Sequence, residues 1–332
     1  MTFWDSKSVL VTGATGFIGS WLTEELVKLG AKITVLLNDD SFGNHAVKHL
    51  SDDIQFVKGG VEDCAAIKTA AKDKDVIFHL AAITQVLYSI KNPLKTFSVN
   101  LGGTLNVLEA VRKSQNNPFL VYVSTDKVYG EPEYLPIDEK HSLSAKSPYD
   151  ASKVAADRAV YAYHKAYGIR SSILRWSNAY GGRDANILRA VPDFVTSVLD
   201  GKPPVIRGNG RHIRDYMYIS DIIRALICAA EKQSVSNGEV FNFGTKKPTS
   251  VLELAEKIVN LSGNCNIEPK ILGRDTPGEI NQQYLSYVKA AKLLGWSPKV
   301  DLDAGLKETI SWYKSNPWWR DVMVAVNKEF GV

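Results

Sequence analysis

Apolar and polar positions alternate along the first half of the chain in two ways. Short continuous apolar runs are typical of strands buried in a parallel sheet, and apolar residues every three or four positions are typical of amphipathic helices. The predicted strands are Val9–Thr12, Ile33–Leu37, Gln55–Val57, Val76–Leu80, Leu120–Ser124 and Ser172–Arg175. The predicted helices are Trp21–Leu29, Ala65–Ala71, Pro93–Ser114 and Tyr149–Tyr167. This alternation predicts an α/β fold with a doubly wound parallel sheet.

The pattern changes after Asn178, where Gly and Pro become frequent and the alternation loses its regularity. We expect one more strand, Val240–Phe243, to return to the main sheet, and Val251–Leu261 and Val288–Leu294 to form short helices. The predicted organisation is a first domain over 1–178, to which 212–245 returns, and a smaller C-terminal α/β lobe. That lobe comprises 179–211 and 246–332, with a ligand cleft between the two parts.

Composition narrows the class of protein. Of the 332 residues 45% are apolar and 23% are charged, which is ordinary for a globular protein. The net charge of +4, without a basic arm, suits a small anionic ligand better than nucleic acid. Cys64, Cys228 and Cys265 are odd in number and lack a C-x-x-C spacing, so we expect reduced, buried thiols of a cytoplasmic protein. Because the first predicted strand begins so early, we expect no signal peptide. No apolar stretch approaches the roughly 20 residues of a membrane span. We also predict no metal site.

A glycine-rich turn follows the first predicted strand. In Gly13-Ala-Thr15-Gly16-Phe17-Ile18-Gly19 the glycines allow a tight turn and close approach to a pyrophosphate at the positive end of the next helix. Between a strand and a helix, this spacing predicts dinucleotide binding rather than a simple tight turn.

Two further segments bear on the cofactor. At the end of the second strand Asp39 is a candidate for gripping the adenosine ribose, although it could equally be a solvated turn residue. No Arg is present there to bind a 2′-phosphate, which favours NAD over NADP. The small residues of His79-Leu80-Ala81-Ala82 would let the backbone pass close to the cofactor; alternatively, they would only pack against a helix. His79 itself is expected to be a hydrogen-bonded structural residue.

Tyr149 and Lys153 form a Tyr-x-x-x-Lys pair on one face of a predicted helix. A phenol with a pKa near 10 is a poor base at neutral pH, and lowering that pKa by about 3 units takes about 4 kcal/mol. One ammonium about 5 Å away supplies about 3 kcal/mol at an effective dielectric of about 20. Oxidised nicotinamide could supply the rest, so the pair can deprotonate a sugar hydroxyl.

Thr125, Asp126 and Lys127 follow the fifth predicted strand. Thr125 would hydrogen-bond the reacting hydroxyl, unless it only caps a turn. Hydride removal and return at one carbon needs no charged pair, whereas elimination of water needs one group to take a carbon-bound proton and another to protonate the leaving oxygen. Asp126 is the candidate acid and Lys127 the candidate base, both neutral when they act and titrating as a unit; the alternative is a surface Asp–Lys turn.

These motifs together resemble the extended short-chain dehydrogenase/reductases, the NAD-dependent epimerase/dehydratase family, over nearly the whole chain. The matching segments are Phe3-Trp4, Thr12–Leu22, His79–Ala82, Asn100–Ala110, Ser124–Gly130, Tyr149–Lys153, Asn178–Gly182, Arg214–Tyr218 and Leu294–Pro298. Asp-Lys after the Thr is most similar to the CDP-glucose 4,6-dehydratases, as are Val205-Ile-Arg207 and Gln283-Tyr-Leu-Ser286.

The resemblance implies a Rossmann fold and a reaction. Tyr149 takes the 4-hydroxyl proton of a nucleoside-diphosphate hexose as the C4 hydride passes to NAD. Lys127 takes the C5 proton, Asp126 protonates the departing 6-hydroxyl, and the hydride returns to C6. The product is a 4-keto-6-deoxy sugar nucleotide.

The resemblance also implies binding residues. Those for the cofactor are Gly13, Thr15, Gly16, Phe17, Ile18, Gly19, Asp39, Val61, Leu80, Ala81, Ala82, Asn100, Ser124, Tyr149 and Lys153. Those for the substrate are Thr84, Thr125, Asn178, Arg189, Arg207, Arg214 and Arg274. As bare residues, Asn178 could equally lie in a turn and Arg214 in a surface ion pair. A homodimer through helices 93–114 and 149–167 is also implied.

The chain departs from its relatives at three places. Leu37 lacks the acidic side chain many of them carry, and Gly60 stands where many have Asp, which affects only adenosine contacts. Thr276 replaces an Arg before Pro277, and Arg274 is the candidate substitute.

Two other functions compete with the dehydratase. A nucleotide-sugar 4-epimerase would share the cofactor and Tyr149, but epimerases generally carry uncharged residues in place of Asp126 and Lys127. A non-catalytic, cofactor-binding scaffold would not require Thr125, Tyr149 and Lys153 together.

Overall fold

The structure is a computed structural model that describes residues 2–38, 46–50, 52–274 and 280–329. Its strands are β1 (Ser8–Thr12), β2 (Lys32–Leu37), β3 (Ile54–Lys58), β4 (Val76–His79), β5 (Phe119–Val123), β6 (Ser171–Trp176), β7 (Asn178–Tyr180), β8 (Val205–Ile206), β9 (Ile213–Arg214), β10 (Tyr216–Tyr218), β11 (Val240–Phe243), β12 (Thr249–Ser250), β13 (Lys270–Ile271) and β14 (Gln282–Gln283). Its helices are α1 (Phe17–Lys28), α2 (Cys64–Ala70), α3 (Val86–Lys91), α4 (Pro93–Phe97), α5 (Gly103–Arg112), α6 (Pro148–Tyr167), α7 (Ala190–Leu199), α8 (Ile219–Glu231), α9 (Gln233–Ser236), α10 (Val251–Ser262), α11 (Val288–Leu294), α12 (Leu302–Ser315) and α13 (Trp319–Glu329).

Seven parallel strands form the central sheet in the order β11-β6-β5-β4-β1-β2-β3. All six strands predicted in the first half are present, and β11 joins the sheet beside β6, as predicted. The strand order reverses between β1 and β4, so their carboxyl ends leave a crevice there. Such a switch point is where open α/β sheets bind ligands.

Helices cover both faces of this sheet. On one face α1 and α8 contact each other and bury Leu22, Leu26 and Leu226 completely. On the other, α5 contacts α2 and α6, and Val107 and Val160 are buried. Full burial of such a side chain is worth about 1.5–3 kcal/mol. The prediction of a doubly wound Rossmann fold is therefore confirmed.

The helix predicted over 93–114 is not continuous. A π-helical turn at Ser98–Gly102 separates α4 from α5, which ends at Arg112. The carboxamide of Asn100 in this turn accepts from the Ile83 amide at 2.8 Å and donates to the Ile83 carbonyl at 3.0 Å. The widened turn therefore brings Asn100 onto the loop that follows β4, and π turns of this kind are frequent at functional sites.

The segments after residue 178 form three short sheets, β7 with β10, β9 between β12 and β14, and β8 with β13. Helix α10 contacts α7 and α12. The sequence pattern did not predict α3, α7, α8, α9, α12 and α13. The domain boundaries stated above stay a prediction.

Two expectations about the whole chain have different outcomes. The three cysteines are unpaired, as predicted, but Cys64 and Cys265 are exposed and Cys228 is only partly buried, so the prediction that they are buried is wrong. A small thiol can sit at a helix start or in a loop without a packing partner. None of the described helices is long and apolar enough to cross a membrane.

Candidate active site

The turn between β1 and α1 brings backbone segments so close together that two of its positions require glycine. Gly13 has φ +72°, and a Cβ there would lie 2.7 Å from the Ala81 amide nitrogen; a Cβ on Gly19 would overlap the Gly13 carbonyl. Gly16 is the N-cap of α1 and offers no side chain to its amides. Those amides are therefore free of a side-chain cap at the positive end of a helix, a combination that binds anions well.

The predicted adenosine contacts are only partly described. Asp39 lies outside the described residues, as do Thr276 and Pro277. Val61 is buried against Gly103, and its carbonyl accepts from the Asn106 side chain at 2.9 Å. Val61 therefore packs against the start of α5.

The end of β4 is fixed by a buried histidine. His79 Nδ1 lies 2.7 Å from the Thr12 hydroxyl and Nε2 lies 3.0 Å from the Thr104 hydroxyl. Burial lowers the pKa of His79 to about 3, with a further contribution from Lys153, so the ring is neutral. The structural interpretation of His79 is confirmed. The Thr12 hydroxyl also accepts from the Ala81 amide at 3.3 Å, which holds the Leu80–Ala82 segment next to Gly13.

Two residues assigned to the cofactor have side chains engaged elsewhere. The Asn100 amide group bonds Ile83 and also donates to the Ser152 hydroxyl at 2.9 Å. The Ser124 hydroxyl donates to Asp157 at 2.8 Å. Both side chains hold the backbone that borders the crevice, in the first case the loop carrying Thr84.

Thr125 begins the 3₁₀ turn Asp126–Tyr129 directly after β5. Its hydroxyl accepts from the Lys127 amide at 3.2 Å and lies 3.2 Å from the Asp126 carboxylate. It also lies near enough to the Tyr149 phenol to lower the pKa of that group. Thr125 therefore caps the turn and also lies near Tyr149. The capping role and the role beside the reacting hydroxyl are compatible.

Tyr149 and Lys153 lie on α6, whose first turn carries a capping box of Ser147 and Asp150. Burial raises the pKa of Tyr149 to about 12, although Thr125 and Arg189 oppose the rise. The expected lowering by Lys153 is not seen. The amine instead donates to the Val123 carbonyl at 2.6 Å, and burial lowers its own pKa to about 7. Burial favours the neutral phenol of Tyr149 and the neutral amine of Lys153. This effect is larger than the electrostatic stabilisation of a phenolate that we expected from an ammonium on the same helix face.

Asp126 and Lys127 face each other across 3.5 Å, Oδ2 to Nζ. The Asp126 side chain is 4% exposed and that of Lys127 27%. Burial lowers the pKa of Lys127; Arg214 acts in the same direction, and Asp126 and Asp150 oppose it. The lowered pKa favours the neutral amine that a base requires.

The predicted substrate arginines fall into two groups. Arg189, at the start of α7, pairs with Asp184 at 3.1 Å and acts electrostatically on Tyr149. Arg214, on β9, acts on Lys127 and donates to the Ile213 carbonyl at 2.9 Å. These two therefore flank the acid–base residues.

Arg207 follows β8 and Arg274 lies a few residues after β13. Arg207 pairs at 3.9 Å with Asp193, which lies one helical turn after Arg189. The Arg274 amide donates to the Arg207 carbonyl at 2.8 Å. Asn178 sits between strand ends, with its side-chain nitrogen 3.2 Å from the Asp215 carbonyl. Asn178 is therefore in a strand pair rather than a free turn.

Sequence reasoning assigned no role to two residues of this site. Asp215 is fully buried, and desolvation together with the charge of Asp126 raises its pKa to about 6. Gln283 is also fully buried and contacts both Asp126 and Lys127. Both lie in segments that resemble relatives, but no local spacing links Gln283 to a dipeptide 156 positions away.

A buried ion pair lies beneath the end of β5. Arg175 donates to Asp157 at 2.8 and 2.9 Å and to the Tyr129 hydroxyl at 2.7 Å. The guanidinium is a main reason why the pKa of Asp157 is lowered despite its burial. Because Asp157 also accepts from Ser124, this pair fixes the start of the segment that carries Thr125.

We expect Arg175→Met to lower the free energy of unfolding by about 3–5 kcal/mol, because it leaves a buried carboxylate without its main partner. Urea denaturation measures the change. Arg158 is the matched control, since it also pairs with Asp157 at 2.7 Å but is 46% exposed. Arg158→Met should cost no more than about 1 kcal/mol. Equal losses in the two variants would contradict the assignment.

The chain is similar to known proteins over most of its length. The sequence profile of the family described as GDP-mannose 4,6 dehydratase matches residues 10–309. A dTDP-glucose 4,6-dehydratase of an Actinoplanes species is 34% identical over 322 residues, covering 94% of this chain and 99% of the relative. A UDP-glucose 4-epimerase of Pisum sativum is 30% identical over 343 residues, covering 94% and 97%.

A solved structure is similar over the same length. The UDP-glucuronic acid 4-epimerase of Bacillus cereus, in complex with UDP-glucuronic acid and NAD, superposes with a TM-score of 0.84 at 30% identity, covering 93% of this chain and 99% of that one. Dehydratases and epimerases thus both match nearly the whole chain, at identities between 30% and 34%. The chain belongs to the NAD-dependent epimerase/dehydratase family of extended short-chain dehydrogenases, enzymes that modify nucleotide sugars with NAD.

Proposed function

We propose that this protein is a nucleotide-sugar 4,6-dehydratase that converts a nucleoside-diphosphate hexose to its 4-keto-6-deoxy derivative. The observation that carries the proposal is the contact of Asp126 with Lys127 at the end of β5, next to Thr125 and near enough to Tyr149 to act on its pKa. A 4-epimerase needs the tyrosine but has no use for a carboxyl–amine pair at that place. The CDP-glucose group, whose Asp-Lys motif this chain shares, is the proposed subclass.

The first chemical step is oxidation at C4. Tyr149 accepts the 4-hydroxyl proton, and Thr125 donates to or accepts from the same oxygen to orient it. The ammonium form of Lys153, present in part near neutral pH because its pKa is about 7, favours the phenolate that must form.

The second step is loss of water. A carbonyl at C4 acidifies the neighbouring C5–H bond, so the neutral Lys127 amine takes that proton. Asp126 gives its proton to the 6-hydroxyl as the C6–O bond breaks. Lys127 leaves the elimination as an ammonium and Asp126 as a carboxylate, so charge is conserved across the pair. When C6 receives the hydride, the Lys127 ammonium would return its proton to C5, which gives the 4-keto-6-deoxy product.

The cofactor site fits NAD because the start of α1 presents amides that no side chain caps, and such amides can bind a pyrophosphate. When bound, NAD supplies the hydride acceptor for C4 and the hydride donor for C6. Lys153 and Tyr149 would border its nicotinamide end, and Val61 its adenosine end.

The diphosphate of the substrate is proposed to pair with Arg214, with Asn178 and Arg189 close by, since guanidinium groups match phosphate geometry. Arg207 and Arg274 would lie towards the nucleoside. This puts the substrate between the Rossmann part, 1–178 with 212–245, and the C-terminal segments.

A homodimer is proposed through the helices predicted at 93–114 and 149–167. Support comes from large apolar side chains exposed on α3, α4 and α6: Leu87, Ile90, Leu94 and Tyr161. Leu94 is 86% exposed. Sedimentation of the purified protein measures this state, and a monomer at micromolar concentration would contradict it.

The proposed reaction is tested by incubating the purified protein and NAD with CDP-, dTDP-, UDP- and GDP-hexoses. NMR of the products should show a 4-keto-6-deoxy sugar nucleotide from at least one of them. A C4 epimer with an intact 6-hydroxyl would overturn the dehydratase proposal in favour of the epimerase.

A further inference from the structure

The Asp126–Lys127 dipeptide is held from outside its own segment. Gln283, on β14, donates from its side-chain nitrogen to the Asp126 carbonyl at 3.0 Å. Its side-chain oxygen accepts from the Lys127 amine. One carboxamide therefore binds the backbone of the candidate acid and the side chain of the candidate base.

The position of this carboxamide is well determined. Gln283 is fully buried, and both ends of its amide group are bonded, which leaves one orientation that satisfies donor and acceptor. β14 pairs with β9 so that Gln283 lies opposite Arg214. Gln283 thus sits between the proposed phosphate-binding arginine and the Asp126–Lys127 pair.

We infer that Gln283 is a positioning residue that fixes the Lys127 amine next to Asp126 and sets how readily that amine carries a proton. Its role in catalysis rests on the proposed dehydration, whereas its effect on the amine does not. The other charged groups that act on Lys127 are Asp126 on its own turn, Asp150 at the start of α6 and Arg214 on β9. Gln283 itself is neutral. A neutral replacement therefore leaves the charge around Lys127 as it is, whereas an acidic replacement adds one negative charge.

Two substitutions separate the contributions of the carboxamide. Gln283→Met keeps the side-chain length but removes both hydrogen bonds, so the ammonium loses an acceptor and the pKa of Lys127 should fall. Gln283→Glu places a negative charge beside the amine, which favours the ammonium, so the same pKa should rise. Opposite shifts from two variants at one buried site cannot come from general loosening of the fold.

The experiment follows the ¹³Cε resonance of Lys127 in the full-length, lysine-labelled protein over a pH titration. The resonance is assigned by its absence in Lys127→Ala. Gln282→Met is the matched control, because Gln282 precedes Gln283 on the same strand and is exposed. We expect a lower pKa in Gln283→Met, a higher one in Gln283→Glu and no change in Gln282→Met. The same pKa in all three variants would overturn the inference.

Turnover gives a second readout. In Gln283→Met, exchange of the C5 hydrogen with solvent deuterium should fall about 10²-fold, the size expected when a reacting group is misplaced by about 1 Å. KM should not change, since Gln283 is not placed against the substrate. Unchanged exchange would remove Gln283 from the positioning role. If the wild-type protein instead formed C4 epimers, the proposed dehydration would fail, and the Lys127 titration would still decide whether Gln283 controls the amine.

Discussion

Replacing Tyr149 by phenylalanine is expected to lower kcat by about 10³-fold, within the range for loss of a positioned acid–base group. The phenyl ring keeps the buried packing, and the variant loses only the hydroxyl. Because the 4-hydroxyl can no longer lose its proton, the first step fails. Absorbance of reduced nicotinamide after mixing with substrate should then not appear.

Tyr163→Phe is the control on the same helix. Its hydroxyl donates to Glu109 at 3.0 Å, far along α6 from the catalytic turn, so kcat should be unchanged. A Tyr149→Phe enzyme that still reduced its cofactor at the wild-type rate would show that another group is the base.

Replacing Lys127 by alanine is expected to lower dehydratase turnover by about 10²- to 10⁴-fold while leaving oxidation at C4 in place. The C5 proton then has no acceptor, so solvent deuterium should no longer enter C5. NMR of recovered substrate and product measures that exchange. Reduced nicotinamide should still form, because Tyr149 and Lys153 are untouched.

The variant Lys127→Arg distinguishes a role of Lys127 as a proton acceptor from a role as a positive charge only. Arginine keeps the positive charge near Asp126 but does not give up its proton, so it should be as inactive as alanine. Lys146→Ala, an exposed lysine paired with Glu131, is the control and should behave as wild type. Exchange at C5 that persists in both Lys127 variants would remove Lys127 from the base role.

The sequence was sufficient for the sheet and for the residues near its carboxyl ends. Apolar runs identified β1, β2, β4, β5, β6 and β11, because a strand buried on both faces must be apolar along its length. The strand β3 was also predicted, although it lies at the sheet edge and is mostly exposed. The Gly13–Gly19 turn and the Thr125–Lys127 segment were found because each follows such a strand directly. Local sequence patterns therefore predict functional residues where those residues lie directly next to a predicted strand or helix.

Other features depended on distant contacts. The π turn at Ser98–Gly102 is stabilised by the Asn100 bonds to Ile83, which no helical periodicity reveals. The raised pKa of Tyr149 follows from burial, and the hydrogen bond of Lys153 to Val123 depends on how α6 packs on β5. Gln283 reaches its partners through the pairing of β14 with β9. Each of these requires the assembled tertiary structure.

The 3.5 Å contact between the Asp126 carboxylate and the Lys127 amine has a consequence for proton counting. The ion pair and the neutral acid–base pair contain the same number of protons and differ only in which of the two atoms holds one of them. Preparing the pair for elimination therefore needs no exchange with water; a single shift across the contact suffices. The readiness of the pair for elimination is then an internal tautomeric equilibrium between Asp126 and Lys127.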